Sequence, residues 1–200
     1  MYTAHYGLQT LPFGITPDTQ FFFPHSSYQE ALNTLLIATR SGEGFLKVVG
    51  EVGTGKTLLC RKFLNALEGE GFATAYIPNP YLEPMTLLLA IADELGVTYP
   101  EQVNQHQLLK LLTEKLIETH AAGQRVVLCL DEAQAMPTES LEALRLLTNL
   151  ETESRKLIQV VLFGQPELDT RLNEPSIRQL KQRITFSSTL GTLNHQDAEY

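Results

Sequence analysis

Residues 50–57 combine the residue types that bind phosphate groups. They read Gly-Glu-Val-Gly-Thr-Gly-Lys-Thr, which fits the P-loop (Walker A) pattern GxxxxGK[ST]. The glycines allow successive backbone N–H groups to converge on phosphate oxygens, Lys56 supplies a positive charge for the β and γ phosphates, and Thr57 is a ligand for Mg²⁺. We therefore expect ATP and Mg²⁺ to bind here. The predicted contacts are Gly50, Glu51, Val52, Gly53, Thr54, Gly55, Lys56, Thr57 and Leu58.

A second group of candidate residues follows the apolar run 126–130, which ends in Asp131-Glu132 (Walker B). An aspartate at the carboxyl end of a strand beside the P-loop can hold the shell of Mg²⁺, and the next glutamate can polarise a water in line with the γ-phosphate. Taken alone, Asp-Glu favours a polar strand end before a solvated helix. The P-loop upstream favours the catalytic interpretation, so we predict ATP hydrolysis with Glu132 as the base and Asp131 and Thr57 as metal ligands.

The elements that must position these residues follow from hydrophobic patterning. Short apolar runs that do not alternate predict buried parallel strands, and leucines three to four apart predict helices between them. The predicted strands are 45–49, 72–77, 126–130, 157–163 and, more weakly, 184–189. The predicted helices are 27–40, 56–67, 84–95, 104–122 and 137–150. This order indicates an α/β fold, a five-stranded parallel sheet with helices on both faces.

Composition narrows the class of protein. The chain has 200 residues, 43% of them hydrophobic and 19% charged, which is typical of a folded domain and excludes wholesale disorder. Its longest unbroken apolar run, 87–92, is far too short to cross a bilayer, and no basic segment leads into an apolar stretch at the N-terminus. We expect a cytoplasmic protein. A net charge of −8 disfavours non-specific binding to nucleic acid.

Three regions follow from the patterning. Residues 1–26 form an N-terminal arm with Pro12, Pro17 and Pro24 among aromatic residues, which predicts an extended segment packed on the nucleotide site. Residues 27–193 form the nucleotide-binding core. Asn194 and Asp197 are typical of a helix start, so we expect 194–200 to begin a helical lid that is truncated here.

Two other residue classes predict no chemistry. Cys60 and Cys129 lie in apolar stretches without metal-binding spacing, which indicates buried reduced thiols. The five histidines also lack metal-ligand spacing, and Ser26-Ser27 is typical of a helix cap, with Glu30 completing a capping box. We therefore expect no zinc site and no nucleophilic triad.

With its paired P-loop and Asp131-Glu132, the chain resembles the AAA+ ATPases. The segments Tyr6-Gly-Leu, Pro12-Phe13, Thr16-Pro17-Asp18 and Glu30-Ala-Leu extend the resemblance over nearly the whole chain. They are similar to the general secretion pathway A (ExeA-like) type, and within it to the ATPases of MSHA-type pilus biogenesis. The resemblance implies an ATPase that assembles as a homo-oligomer and powers a type II secretion or type IV pilus system, located in the cytoplasm or at the inner membrane through a partner.

The resemblance also implies roles for residues outside the two motifs. Gln165 falls where the family places a polar sensor of the γ-phosphate, and Asn79 where a polar residue holds the catalytic glutamate. Arg183 matches the arginine finger that enters a neighbouring subunit's site, although Arg171, Arg178 and Lys181 are close in sequence. Leu11 and Phe13, with Pro12, are candidates for adenine contact. For each of these residues a purely structural role is an open alternative.

Other functions are compatible with the same core. A DNA-associated regulator of the transposition-ATPase type would use the basic residues within 171–183, although the acidic charge argues mildly against it. A small-molecule phosphoryl transferase would gain little from Glu132 beside Asp131. A nucleotide-locked switch would bind ATP and scarcely hydrolyse it.

Overall fold

A computed structural model of the chain describes residues 2–7, 26–150 and 156–192. Its centre is a five-stranded sheet, in which every paired strand is parallel to its neighbour and the order is β2-β3-β4-β1-β5. The strands are β1 (Phe45–Gly50), β2 (Phe72–Ile77), β3 (Arg125–Leu130), β4 (Ile158–Gly164) and β5 (Ile184–Leu190). The predicted fold class is confirmed, and each strand lies within one residue of its predicted bounds.

Eight helices occur in the described residues. They are α1 (Tyr2–Tyr6), α2 (Ser26–Ser41), α3 (Lys56–Leu67), α4 (Pro84–Glu94), α5 (Gln105–Ala121), α6 (Thr138–Leu147), α7 (Glu167–Leu172) and α8 (Arg178–Lys181). Single 3-10 turns form over Ala133–Ala135 and Pro175–Ile177. Five of these helices match the predicted ones, whereas α1, α7, α8 and both 3-10 turns are too short for periodicity to reveal.

The strands lack alternation because both faces of the sheet are covered. In β3, Val126, Leu128 and Leu130 pack into a core with α4, α5 and α6, whereas Val127 and Cys129 pack into a second core with α2 and α3. A strand buried on both sides gains from an apolar residue at every position. This explains why the inner runs at β1, β3 and β4 were visible in the sequence. Of the two edge strands, β2 keeps three buried residues, whereas β5 has mostly exposed or half-exposed residues and was the weak prediction.

The arm differs from the prediction where it is described. Residues Tyr2–Tyr6 form a short helix instead of an extended segment, and the chain leaves it at Gly7 with φ 64°. The three prolines that favoured an extended conformation all lie later, within residues 8–25, outside the described residues. The second helix begins at Ser26, so Ser27 lies in its first turn and not before it. This difference of one residue is ordinary at helix ends.

Both cysteines are buried and form no disulfide, as predicted. The pKa of the Cys60 thiol is raised well above its usual value. The hydrogen bond with Cys129 is the largest cause, and burial is the second. Among the described residues, no helix is both long and apolar enough to cross a membrane.

Candidate nucleotide-binding site

The P-loop connects the carboxyl end of β1 to the start of α3. Gly53 and Gly55 adopt left-handed backbone conformations, with φ 81° and 79°, which a side chain would strain. Gly50 leaves room for the Thr54 hydroxyl, because a Cβ at Gly50 would lie 2.6 Å from that oxygen. Thr54 Oγ1 in turn donates to the Glu51 carbonyl at 2.8 Å. The pattern of glycines therefore corresponds to a tight loop that a bulkier sequence could not form.

Lys56 is the first residue of α3, and only 5% of it is exposed. Its Nζ donates to the Gly50 and Glu51 carbonyls, each at 2.8 Å. The N-terminus of a helix favours a bound anion through the helix dipole. The Lys56 ammonium group adds a positive charge at the same place. The placement fits the predicted contact with the β and γ phosphates.

Thr57 in α3 and Asp131 after β3 form the next contact, although β1 and β3, the strands that precede them, are not adjacent in the sheet. The Thr57 hydroxyl donates to Asp131 Oδ2 at 2.5 Å, and Tyr76 OH lies 3.4 Å from the same oxygen. Asp131 is 2% exposed, and burial raises its pKa, while the Thr57 hydrogen bond and the Glu132 N–H act in the opposite direction. A buried carboxylate beside a hydroxyl is a donor set that suits Mg²⁺.

Glu132 lies beside Asp131 and is held by two glutamine side chains. Gln134 Nε2 donates to Glu132 Oε2 at 2.5 Å, and Gln165 Nε2 donates to the same oxygen at 3.1 Å. Glu132 itself has φ 53°, and no other residue with a side chain has a positive φ in the part of the chain that the structure describes. The backbone is thus strained at the residue that we expect to be the base.

Sheet topology explains how these residues meet. Parallel strands end at one edge of the sheet, and β4 lies between β1 and β3. Gln165, the residue after β4, is therefore placed between the P-loop and Asp131-Glu132. A cleft of about 290 Å³ opens at this edge. It is lined by Val52, Gly53, Gly55, Lys56, Thr57, Leu58, Glu132 and Gln165.

Asn79 does not reach the predicted catalytic glutamate. It lies two residues after β2, and its Oδ1 accepts a hydrogen bond from the Tyr81 N–H at 3.3 Å. The contacts to Glu132 come from Gln134 and Gln165 instead. Leu11 and Phe13 lie outside the described residues, so their proposed contact with adenine stays a prediction.

Arg183 lies at the opposite end of the sheet from the P-loop. The next residue, Ile184, pairs with Phe45 at the start of β1, whereas the P-loop follows Gly50 at its end, roughly 17 Å away at ordinary strand rise. The Arg183 guanidinium lies 3.4 Å from both the Arg145 carbonyl and Thr148 Oγ1. Arg183 therefore does not contribute to the cleft of its own chain.

The other basic residues of this region divide into two groups. Arg178 and Lys181 line a separate cleft of about 340 Å³ with Leu172, Asn173 and Gln182. Arg171 is directed inward instead, and its guanidinium donates to the Gln134 carbonyl at 2.6 Å.

Sequence reasoning missed two residues at the site. Gln134 follows Glu132 by two positions, and a polar residue directly after an Asp-Glu strand end was the available signal. Tyr28, in the first turn of α2, packs its hydroxyl against the P-loop, since a Cβ at Gly55 would lie 1.9 Å from that oxygen. Burial raises the pKa of Tyr28 to about 12. Nothing in the local sequence links Tyr28 to a loop 27 residues later.

The parallel sheet and the P-loop after β1 define a P-loop NTPase fold. A family model described as an AAA domain matches residues 39–172, and the chain belongs to this family. Over 199 residues it is also 45% identical to general secretion pathway protein A from Aeromonas hydrophila. The alignment covers 100% of this chain and 36% of that protein, so the chain spans about a third of its relative's length.

Solved structures share the fold at low sequence identity. Cdc6p from Pyrobaculum aerophilum superposes with a TM-score of 0.67 and 20% identity, over 92% of this chain and 52% of that one. The Aeropyrum pernix ORC2 protein in its ADP form gives a TM-score of 0.62 and 22% identity, over 90% and 52% of the two chains. At this identity the likeness shows the architecture alone.

Proposed function

We propose that this chain binds ATP with Mg²⁺ and hydrolyses it, as the motor domain of a homo-oligomeric secretion or type IV pilus assembly ATPase. The observation that carries the proposal is the position of Glu132. Its carboxylate lines the same cleft as Lys56 and Thr57, next to the Thr57–Asp131 pair. A carboxylate at this position is suited to activating water beside bound phosphates.

The residues present fit the nucleotide and its metal. Lys56 would exchange its two loop carbonyls for phosphate oxygens, and Gly53 and Gly55 of the loop line the same cleft as Lys56. Thr57 and Asp131 would hold Mg²⁺, which when bound neutralises charge on the β and γ phosphates. Val52 and Leu58 line the mouth of the cleft, and we place Leu11 and Phe13 of the arm against the base.

Hydrolysis assigns each group a task. The water oxygen attacks the γ-phosphorus, its proton passes to the Glu132 carboxylate, and the bond from phosphorus to the bridging oxygen breaks to leave ADP and inorganic phosphate. Gln165 can report the γ-phosphate, because its amide already donates to Glu132 at 3.1 Å and can donate to a phosphate oxygen instead. Lys56 stabilises negative charge in the ground and transition states.

A neighbouring copy supplies the remaining charge in this proposal. Arg183 is remote from its own cleft, and the contacts of its guanidinium with other described residues are long, both at 3.4 Å. A planar guanidinium suits the charge that spreads over a transferring phosphoryl group. Arg183 therefore acts as a finger in trans, with Arg178 as the alternative if mixing experiments exclude it.

The secretion role rests on the relative and not on the geometry. The 45% identity extends along the whole chain, and the relative's name places it in a general secretion pathway. The pilus role rests on the likeness of the N-terminal segments. The transposition-type alternative predicts stimulation by DNA, which a net charge of −8 does not favour.

The test measures ATP hydrolysis by the natural full-length protein, with and without double-stranded DNA. We expect Mg²⁺-dependent hydrolysis that rises in specific activity with protein concentration and is unchanged by DNA. Hydrolysis that requires DNA would support the transposition-type reading. ATP binding without turnover at any concentration would identify a nucleotide-locked switch and overturn the proposal.

A further inference from the structure

Glu132, the expected base, is the one residue with a side chain that has a positive φ within residues 2–7, 26–150 and 156–192. Glu132 adopts a left-handed conformation and caps the 3-10 turn Ala133–Ala135. A residue with a Cβ keeps such a conformation only where its surroundings hold it there, and such residues cluster at functional sites. The contacts that hold Glu132 are therefore informative about function.

The side chain of Gln134 forms hydrogen bonds with both Glu132 and Gln165. Its Nε2 donates to Glu132 Oε2 at 2.5 Å, and its Oε1 accepts the backbone N–H of Gln165 at 3.0 Å. The Gln165 side-chain amide closes the triangle by donating to Glu132 Oε2 at 3.1 Å. Only a side chain with both a donor and an acceptor at this length can make the two Gln134 contacts.

Neighbouring elements fix Gln134 from two sides. Arg171 of α7 donates to the Gln134 carbonyl at 2.6 Å. At the end of β4, a Cβ on Gly164 would lie 3.2 Å from Gln134 Oε1, so glycine leaves the space that this oxygen needs. The backbone carbonyl of Gln134 is thus held by α7, and its side-chain amide lies against the end of β4.

We propose that Gln134 is a positioning residue that aligns the Glu132 carboxylate to take the proton from the water that attacks ATP, and that holds Gln165 in place to sense the γ-phosphate. The inference rests on the proposed function. Both amides bind Oε2 of Glu132, which leaves Oε1 to accept the proton from water. When the γ-phosphate draws the Gln165 amide away from Glu132, Gln134 retains the carboxylate and the Gln165 backbone, so the two events are coupled through one side chain.

Three substitutions in the full-length protein test this role. Gln134→Met keeps the length and removes both hydrogen bonds, and Gln134→Glu keeps the acceptor for Gln165 but loses the donor to Glu132. Gln102→Met, at an exposed loop position, is the matched control. The measurements are kcat and KM for ATP hydrolysis, and the dissociation constants of ADP and of a non-hydrolysable ATP analogue.

We expect Gln134→Met to lower kcat by roughly 10- to 100-fold, the scale of a misplaced reacting group, while ADP affinity stays within about twofold. Its preference for the ATP analogue over ADP should also fall. Gln134→Glu should lower kcat similarly but keep more of that preference, because its carboxylate still accepts the Gln165 N–H. Gln102→Met should leave every value unchanged.

Parental kcat and parental nucleotide preference in Gln134→Met would overturn the inference. An increase in kcat would do so too, because it would make Gln134 a restraint on Glu132 and not an aid. If Gln134→Met does not fold, a parental kcat in Gln134→Glu has the same force. If the parent binds nucleotide without hydrolysing it, the proposed function fails, and the nucleotide preference of the variants still decides the role of Gln134 toward Gln165.

Discussion

The two ends of the sheet differ in how closely their polar side chains are held by hydrogen bonds. At the carboxyl end, Lys56, Thr57, Asp131 and Glu132 each have a hydrogen-bond partner within 3 Å. At the amino end of β5, Arg183 contacts other described residues at 3.4 Å, and Arg178 and Lys181 line an open cleft. One end is preorganised, and the other presents basic groups outward.

This difference indicates a division of labour. A preorganised site costs no rearrangement when substrate arrives, so the carboxyl end can bind nucleotide within one chain. In the proposed function, basic groups that are distant from their own cleft complete the cleft of another chain. We therefore expect changes at the first end to act within a subunit and changes at the second to act between subunits.

The largest effect should come from Lys56→Ala. It removes the ammonium group that lines the cleft, so binding of labelled ATP should fall by at least about 100-fold and hydrolysis should reach background. Equilibrium titration with labelled ATP measures this. Lys110→Ala, at an exposed position on α5, is the control and should bind normally. Parental affinity in Lys56→Ala would show that the P-loop does not carry the phosphates.

Arg183→Ala should reduce hydrolysis by about 10³-fold and leave ATP binding intact, because a finger stabilises only the transition state. Mixing it with Lys56→Ala should restore activity, since the Lys56→Ala copy supplies the finger and the Arg183→Ala copy supplies the cleft. Absence of rescue, together with rescue of Arg178→Ala in the same assay, would move the finger to Arg178.

Gly55→Ala tests the packing of α2 on the P-loop. The positive φ and the overlap with the Tyr28 hydroxyl should together destabilise the fold by roughly 2–4 kcal/mol. Gly53→Ala is the control, because its φ is also positive but its Cβ would meet nothing within 4 Å, so it should cost about 1–2 kcal/mol. Urea unfolding of both variants gives the difference. Equal losses would mean that Tyr28 moves away without cost.

The smallest effect concerns Tyr28 at alkaline pH. Its pKa is about 12 in the folded chain against 10.0 ordinarily, so between these values the folded state binds more protons than the unfolded state. The free energy of unfolding must then fall as pH rises through this range. Tyr28→Phe should lose less stability between pH 9 and pH 11 than the parent, by urea unfolding, whereas Tyr81→Phe at an exposed position should follow the parent.

The sequence predicted the sheet and the P-loop because both depend on local patterns. Residues 126–130 of β3 are all apolar, the β1 run is apolar apart from Lys47, and eight consecutive residues define the loop. The contacts of Glu132 depend instead on strand order. Because β4 lies between β1 and β3 in the sheet, Gln165 directly after it lies between the P-loop and Glu132. Spacing could not show that Gln134, and not Asn79, would bond Glu132, because a left-handed residue at position 132 sets the direction of the turn.

The most direct test of the central claim compares Glu132→Gln with the parent in one experiment that measures both ATP binding and phosphate release. The substitution keeps the shape of the side chain and removes the base. We predict parental or tighter ATP binding, with phosphate release reduced by at least about 10²-fold, the usual contribution of a general base. Phosphate release at the parental rate would contradict the assignment of Glu132 as the base, and with it the account of the cleft as a site of hydrolysis.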